Sequence, residues 1–287
     1  MDIQISYRKD YIQLFNILRQ DIKNEYFNLK IGFNFLEPFD ILTLTQFIIK
    51  QKNNNCTFKV TSKNHIIKYL KAIGFIQFCN KNYKEPITIE GIKSFYAMPI
   101  RRVERETMMQ YIDFTQQYFS FICKNRDLSM LNLCLSELIN NVYDHSHSPI
   151  GAYVFCQYYP KVNKIVLAVS DLGIGIPKSV NAFFKINKHE LRSPIDCVKW
   201  ALKENKTTLS IPQNAGKGLD NVNSFLRAIN SHWKLYSEDV QLFGYPHKNQ
   251  FLKNTIYNFM GTLIEISIKI DELEEKDENF YQDEFSW

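Results

Sequence analysis

Leu131–Ser146, LNLCLSELINNVYDHS, is the stretch on which the reading of this chain turns. At about 100° per residue, Leu131, Cys134, Leu135, Leu138 and Val142 fall into one apolar stripe, the mark of an amphipathic helix packed on a core. Glu137, Asn141 and His145, four apart, stack along one margin of that stripe, where an ordinary helix carries an aliphatic or a long solvated side chain. A half-buried carboxylate and carboxamide in one row cost free energy unless a protein group, or a ligand such as a metal ion with water, satisfies them. In isolation an E-x-x-x-N row is ordinarily a locally hydrogen-bonded edge. What lies downstream changes its meaning.

SDLGIGIP, 170–177, sets Asp171, Gly173 and Gly175 directly after the second of two expected strands, 151–159 and 164–169. NAGKGLDNV, 214–222, puts Gly216, Lys217, Gly218 and Leu219 at the opening of a helix that runs to about Ser231. Gly261 and Thr262 start a strongly alternating last strand that ends at Ile270, and Trp233 to Ser237 reads as another strand. Residues 179–214 form a long polar and helical excursion. Upstream, Phe95 to Val103 reads as an entry strand, Glu104 to Lys124 as a long helix, and Asp127 or Ser129 as the cap of the central helix. Each glycine motif alone is weak, since D-x-G-x-G is commonly a turn and G-x-G before a helix a tight loop.

The first 80 residues alternate helix and strand. A helix is expected over Tyr7–Glu25, a strand over Leu29–Phe35 and a break at Pro38. Asp40 then caps a helix carrying Ile41, Leu44, Phe47 and Ile48. A strand follows over Cys56–Val60, then a helix from Ser62 that Gly74 closes, and a short strand over Phe75–Phe78. This is a small α/β layer. The polar run Asn80–Glu90 marks a boundary, giving an α/β domain at 1–82, a linker and entry strand at 83–103, a second domain at 104–270 and an acidic, disordered tail at 271–287.

With Glu137/Asn141/His145, Asp171/Gly173/Gly175, Gly216/Gly218 and Gly261/Thr262 in this order, residues 100–270 resemble the GHKL superfamily, the Bergerat-fold ATP-binding domain of gyrase and histidine kinases. The resemblance implies an α+β two-layer sandwich with a four- or five-stranded mixed sheet, and ATP and Mg²⁺ held under a mobile lid between Lys178 and Gly216. By that likeness Asn141 is a Mg²⁺ ligand, Glu137 the general base and Asp171 the acceptor of the adenine amine. Gly173 and Gly175 let the backbone close around the purine. Gly216, Lys217, Gly218 and Leu219 meet the phosphates, and Thr262 reaches the adenine through water. The shape of residues 5–80, IGFNFLEPFDILTLTQFIIK in particular, is similar to a STAS domain. Where phosphorylatable members carry Asp-Ser-Ser/Thr-Gly, this chain has Glu37, Pro38, Phe39 and Asp40, and Thr43 and Thr45 lie a turn too late to replace the hydroxyl.

Composition bounds the rest. At 287 residues, 45% hydrophobic and 23% charged, the chain reads as one large or two ordinary soluble domains. The lack of an apolar run of about 20 residues or a leader-like start reads as cytoplasmic. Six cysteines without C-x-x-C read as reduced, mostly buried thiols; AGKGL is not a Walker A loop, and His145 with His147 lacks a third zinc ligand. Trp200 and Trp233 are taken as packing. Asp144 is a candidate outer partner of Mg²⁺. Residues 271–287 carry −7 of a total of +5, so the first 270 carry +12, spread as a solvated surface with no nucleic-acid patch. The expected partners are ATP and a regulatory protein, with a homodimer allowed and no membrane. Two classes stay open. One is an ATPase or serine/threonine protein kinase; the other is a non-catalytic switch in which nucleotide controls docking of the STAS-like layer or of a partner.

Overall fold

Parallel strands need crossovers, and the first 80 residues supply two. In the computed structural model, which describes residues 1–80, 97–203, 219–253 and 258–276, β1 (Asp2–Ile5), β2 (Tyr26–Ile31) and β3 (Thr57–Ser62) form a parallel sheet in that order. Helices α1 (Tyr11–Leu18) and α2 (Pro38–Asn53) connect them, and α3 (Asn64–Ala72) and α4 (Phe75–Phe78) follow. Several expectations shift. The strand β2 starts at Tyr26 and stops at Ile31, because the Gly32 N–H turns to the Ile5 carbonyl and a side chain at Gly32 would collide with Ser6. Helix α1 ends at Leu18, where the Arg19 guanidinium donates to the Phe15 carbonyl. Phe75–Phe78 is a helical turn and no strand: Phe75 and Phe78, three apart, are both buried. Gly74 does close α3, at φ 81°. Pro38 opens α2 at its first position, and Asp40, two residues inside, accepts from the Glu37 N–H at 2.8 Å.

The second sheet has seven described strands: β4 (Arg101–Val103), β5 (Ala152–Tyr159), β6 (Lys164–Ser170), β7 (His232–Glu238), β8 (Val240–Tyr245), β9 (Lys248–Lys253) and β10 (Phe259–Lys269). Their spatial order is β4-β5-β6-β10-β7-β8-β9, and every pairing is antiparallel. This departs from the four- or five-stranded mixed sheet that the family likeness implies. The extra width comes from β8 and β9: VQLFGY is short and alternates buried with half-buried residues, and KNQFLK is polar and largely exposed.

Near-continuous apolar runs such as AYVFCQYY need cover on both faces. One face, with Val154, Leu167, Leu235 and Ile266, packs on α5 (Met108–Ser120), α6 (Ser129–Asn141) and α9 (Leu219–Ala228). The other, with Tyr153, Phe155, Tyr236 and Leu263, shares one core with residues 1–80. Helix α2 lies between the two sheets and is buried nearly all round, with Phe39, Leu42, Leu44, Phe47 and Ile48 at 0% exposure. Helices α7 (Ile176–Ile186) and α8 (Pro194–Ala201) close a separate small cluster of Val180, Phe184, Cys197 and Trp200. Trp233 packs over Gly244, where any side chain would overlap the indole.

The tail is not wholly free. Residues 271–276 dock beside α6, with the Asp127 N–H on the Glu274 carbonyl at 2.8 Å and Leu273 buried; residues 277–287 lie outside the described residues. All six cysteines are unpaired thiols. Among the described residues no helix is long and apolar enough to cross a membrane.

Candidate functional site

Helix α6 forms as its stripe requires: Leu131, Cys134, Leu135 and Leu138 are buried, and the Asp127 carboxylate accepts from the Ser129 N–H at 2.8 Å to start it. Glu137, Asn141 and His145 are half-buried along its margin. Glu137 makes no hydrogen bond or ion pair among the described residues. Burial, then the charges of Asp220 and Asp144, hold its carboxyl above the usual range. The Asn141 Nδ2 is buried and has no partner there either. A carboxamide can turn over, so that open position suits a donor or an acceptor, a phosphate oxygen or a cation. Burial lowers the His145 imidazole, with Asp144 opposing and His147 adding. Asp144 itself is ion-paired with Arg105.

Past Asn141 the helix widens into a π turn, Val142–Ser146, closed by His147 in the left-handed region at φ 52°. Such turns often mark functional sites. Here the turn aims the Ser146 carbonyl at the D-x-G-x-G loop, where it accepts from the Ile174 N–H at 2.8 Å. A side chain at Gly173 would strike that same carbonyl. The first two motifs are therefore stitched together by backbone. The missing side chain of Gly173 thus makes room for the Ser146 carbonyl. Gly175, at φ 80°, opens α7, and a Cβ there would lie 2.9 Å from the Ser237 Oγ.

Asp171, at the end of β6, is 2% exposed. Its N–H donates to the Thr262 carbonyl at 2.9 Å, and its Oδ1 accepts from the Gly173 N–H at 2.6 Å. Burial pushes its carboxyl up to about 7, against the main-chain bonds of Gly173 and Thr262, which pull it down. Gly261, at φ 81°, passes so close to the Asp171 carbonyl that no side chain fits. Motifs two and four thus also meet.

Ser237 was not foreseen. Fully buried on β7, its Oγ accepts from the Ile176 N–H at 2.9 Å, reaches the Gly261 carbonyl at 3.1 Å and lies 3.2 Å from the Thr262 Oγ1, tying α7, β7 and β10 together. The one signal for it is a hydroxyl in an otherwise apolar strand end. Gly216, Lys217 and Gly218 lie outside the described residues. Leu219 starts α9, but its side chain belongs to the core, so only its main chain is left for a ligand. The next residue, Asp220, is 9% exposed and bears on Glu137, so the start of α9 reaches the open margin of α6. Among the described residues no three His, Cys, Asp or Glu side chains form a metal-holding group. No protein-family model matches the chain and no curated protein matches it.

Proposed function

We propose that this chain is a cytoplasmic Mg-ATP-binding regulatory protein of the GHKL type, which hydrolyses ATP or passes its γ-phosphate to a protein serine or threonine. The observation that carries the reading is the open margin of α6. Glu137 and the Asn141 amide are half-buried and without protein partners among the described residues, and Glu137 feels the charges of Asp220 and of Asp144, the latter paired with Arg105. An acid held against like charge beside an unsatisfied amide calls for a cation. The donor set fits magnesium, a hard ion that takes few protein oxygens and keeps water and phosphate oxygens for the rest. Asn141 would hold the ion, which when bound screens the phosphate charge. Glu137, its proton affinity raised by burial, takes the proton of the attacking water or hydroxyl. Asp171 and Thr262 face the base, and the residues ahead of Leu219 meet the phosphates.

Residues 1–80 act in this reading as a STAS-like layer without a phosphoacceptor turn. The alternative, in which nucleotide releases that layer, would strip cover from Phe39, Leu42 and Phe47, which are fully buried in the core shared with the large sheet. Docking of a separate regulatory protein carries no such cost.

The test is the fate of γ-labelled ATP with the purified chain and Mg²⁺. Free phosphate, or label on protein, is expected. Glu137→Gln should keep ATP affinity within about threefold and reduce turnover by at least a hundredfold. Equal turnover in the variant would remove Glu137 from the chemistry, and no ATP binding by the unaltered chain would sink the reading.

A further inference from the structure

Helix α2 sends one polar side chain through the shared core to the back of the candidate site. Gln46 is 1% exposed, and its Nε2 donates to the Asp171 carbonyl at 2.6 Å and to the Ser170 Oγ. Asp171 and Ser170 lie 125 and 124 residues away in sequence. Ser170 points to the α2 side of the sheet, as the alternation along β6 requires, and Asp171 stands where the strand ends and the loop begins. Three constraints then converge on the Asp171 main chain. Its N–H is held by Thr262, its carbonyl by Gln46, and Gly261 closes over that carbonyl so tightly that no side chain is tolerated. The Oδ1, which accepts from the Gly173 N–H, ties the carboxyl to the loop as well.

We propose that Gln46 is a positioning residue for base recognition, through which the N-terminal layer sets the direction of the Asp171 carboxyl toward the adenine amine. The inference rests on the ATP reading above. Among the described residues Gln46 is the donor that the Asp171 carbonyl has. A buried carbonyl deprived of its donor turns to find another, and the attached carboxyl turns with it. Ser170, which shares the Gln46 amide, has no such lever on Asp171. The bond also gives the N-terminal layer a handle on the site that needs no undocking.

The test is isothermal titration of the full chain with Mg-ATP and Mg-GTP. Gln46→Leu and Gln46→Glu should each weaken ATP about tenfold while GTP changes less than twofold, so the preference between bases collapses. Ser170→Ala, which spares the Gln46–Asp171 bond, should keep the preference. A merely structural role would lower the melting temperature and leave the ratio alone. Folded Gln46 variants with an unaltered ATP-to-GTP ratio overturn the proposal and leave the ATP reading standing. No ATP binding by the unaltered chain overturns both. Should neither variant fold, hydrogen exchange of the unaltered chain decides. Mg-ATP should slow exchange over Pro38–Asn53 where Mg-tripolyphosphate does not, and equal effects of the two ligands overturn the assignment.

Discussion

On the face of the large sheet that meets residues 1–80, Glu265 and Gln46 are held by several partners; on the opposite face, at the margin of α6, Glu137 and the Asn141 amide have none among the described residues. Glu265, 5% exposed, accepts from the Lys234 ammonium at 2.9 Å and from the Phe39 N–H at 3.2 Å, and Lys234 leads on to Glu37 and Arg8. Gln46 bridges two acceptors. Across the sheet, Glu137 and the Asn141 amide stay open. The difference teaches how to separate glue from site. Glu265 and Gln46 join the layers and are satisfied by the fold, whereas a polar group that awaits a ligand is left costly until the ligand comes.

Three experiments break or sharpen that contrast. The largest effect is expected on the open face: Asn141→Ala should lower Mg-ATP affinity by more than a hundredfold and leave the denaturation midpoint unchanged or slightly raised, read by titration and urea melts side by side. A loss of stability would move Asn141 into the glue. On the closed face, Glu265→Ala should destabilise the fold by about 2 kcal/mol in urea, because it leaves the Phe39 N–H without its acceptor and Lys234 with Glu37 alone. ATP affinity in the surviving folded protein should hold, and a stability loss below about 1 kcal/mol would mean that the network is solvated. The smallest effect concerns Asp171. Its folded value of about 7 lies above the ordinary 3.8, so folding favours its neutral form. Stability from this group is complete below pH 4 and declines by up to about 1.4 kcal/mol per pH unit toward pH 7. ATP affinity runs the other way, since the ionised carboxyl is the better acceptor, and should rise severalfold between pH 6 and 8. In Asp171→Asn both slopes should vanish; persistence of either would assign it elsewhere.

The sequence made α6 legible because Leu131, Leu135 and Leu138 state a helical period and Glu137 and Asn141 interrupt it where solvent should not reach. Asp171 and its glycines were legible as a type of loop, though what the glycines make room for was not. Gln46 was hidden for a physical reason. In LTLTQFII it reads as the solvent face of an amphipathic helix, and only a second sheet, more than a hundred residues downstream, turns that face inward. Ser237 was hidden likewise, since its partners Ile176 and Gly261 lie on other elements. The edge strands β1 and β9 escaped notice because edges need only half an apolar pattern, and β8, which lies between β7 and β9, because it is short. Docking of residues 271–276 opposed an acidic composition through two main-chain hydrogen bonds to residues 125–127 and one buried leucine.

Strand β10 is the last described strand in the chain and the fourth of seven across the sheet, between β6 and β7. A ribosome therefore releases the two flanks of this sheet before the piece that joins them. Helix α2 emerges early, and the sheet that covers it gains its central strand only when residue 269 is made, roughly ten to forty seconds later at about 5–20 residues per second. A chain that stops before residue 259 leaves β6 and β7 each with a bare edge where β10 would pair, two open templates for aggregation.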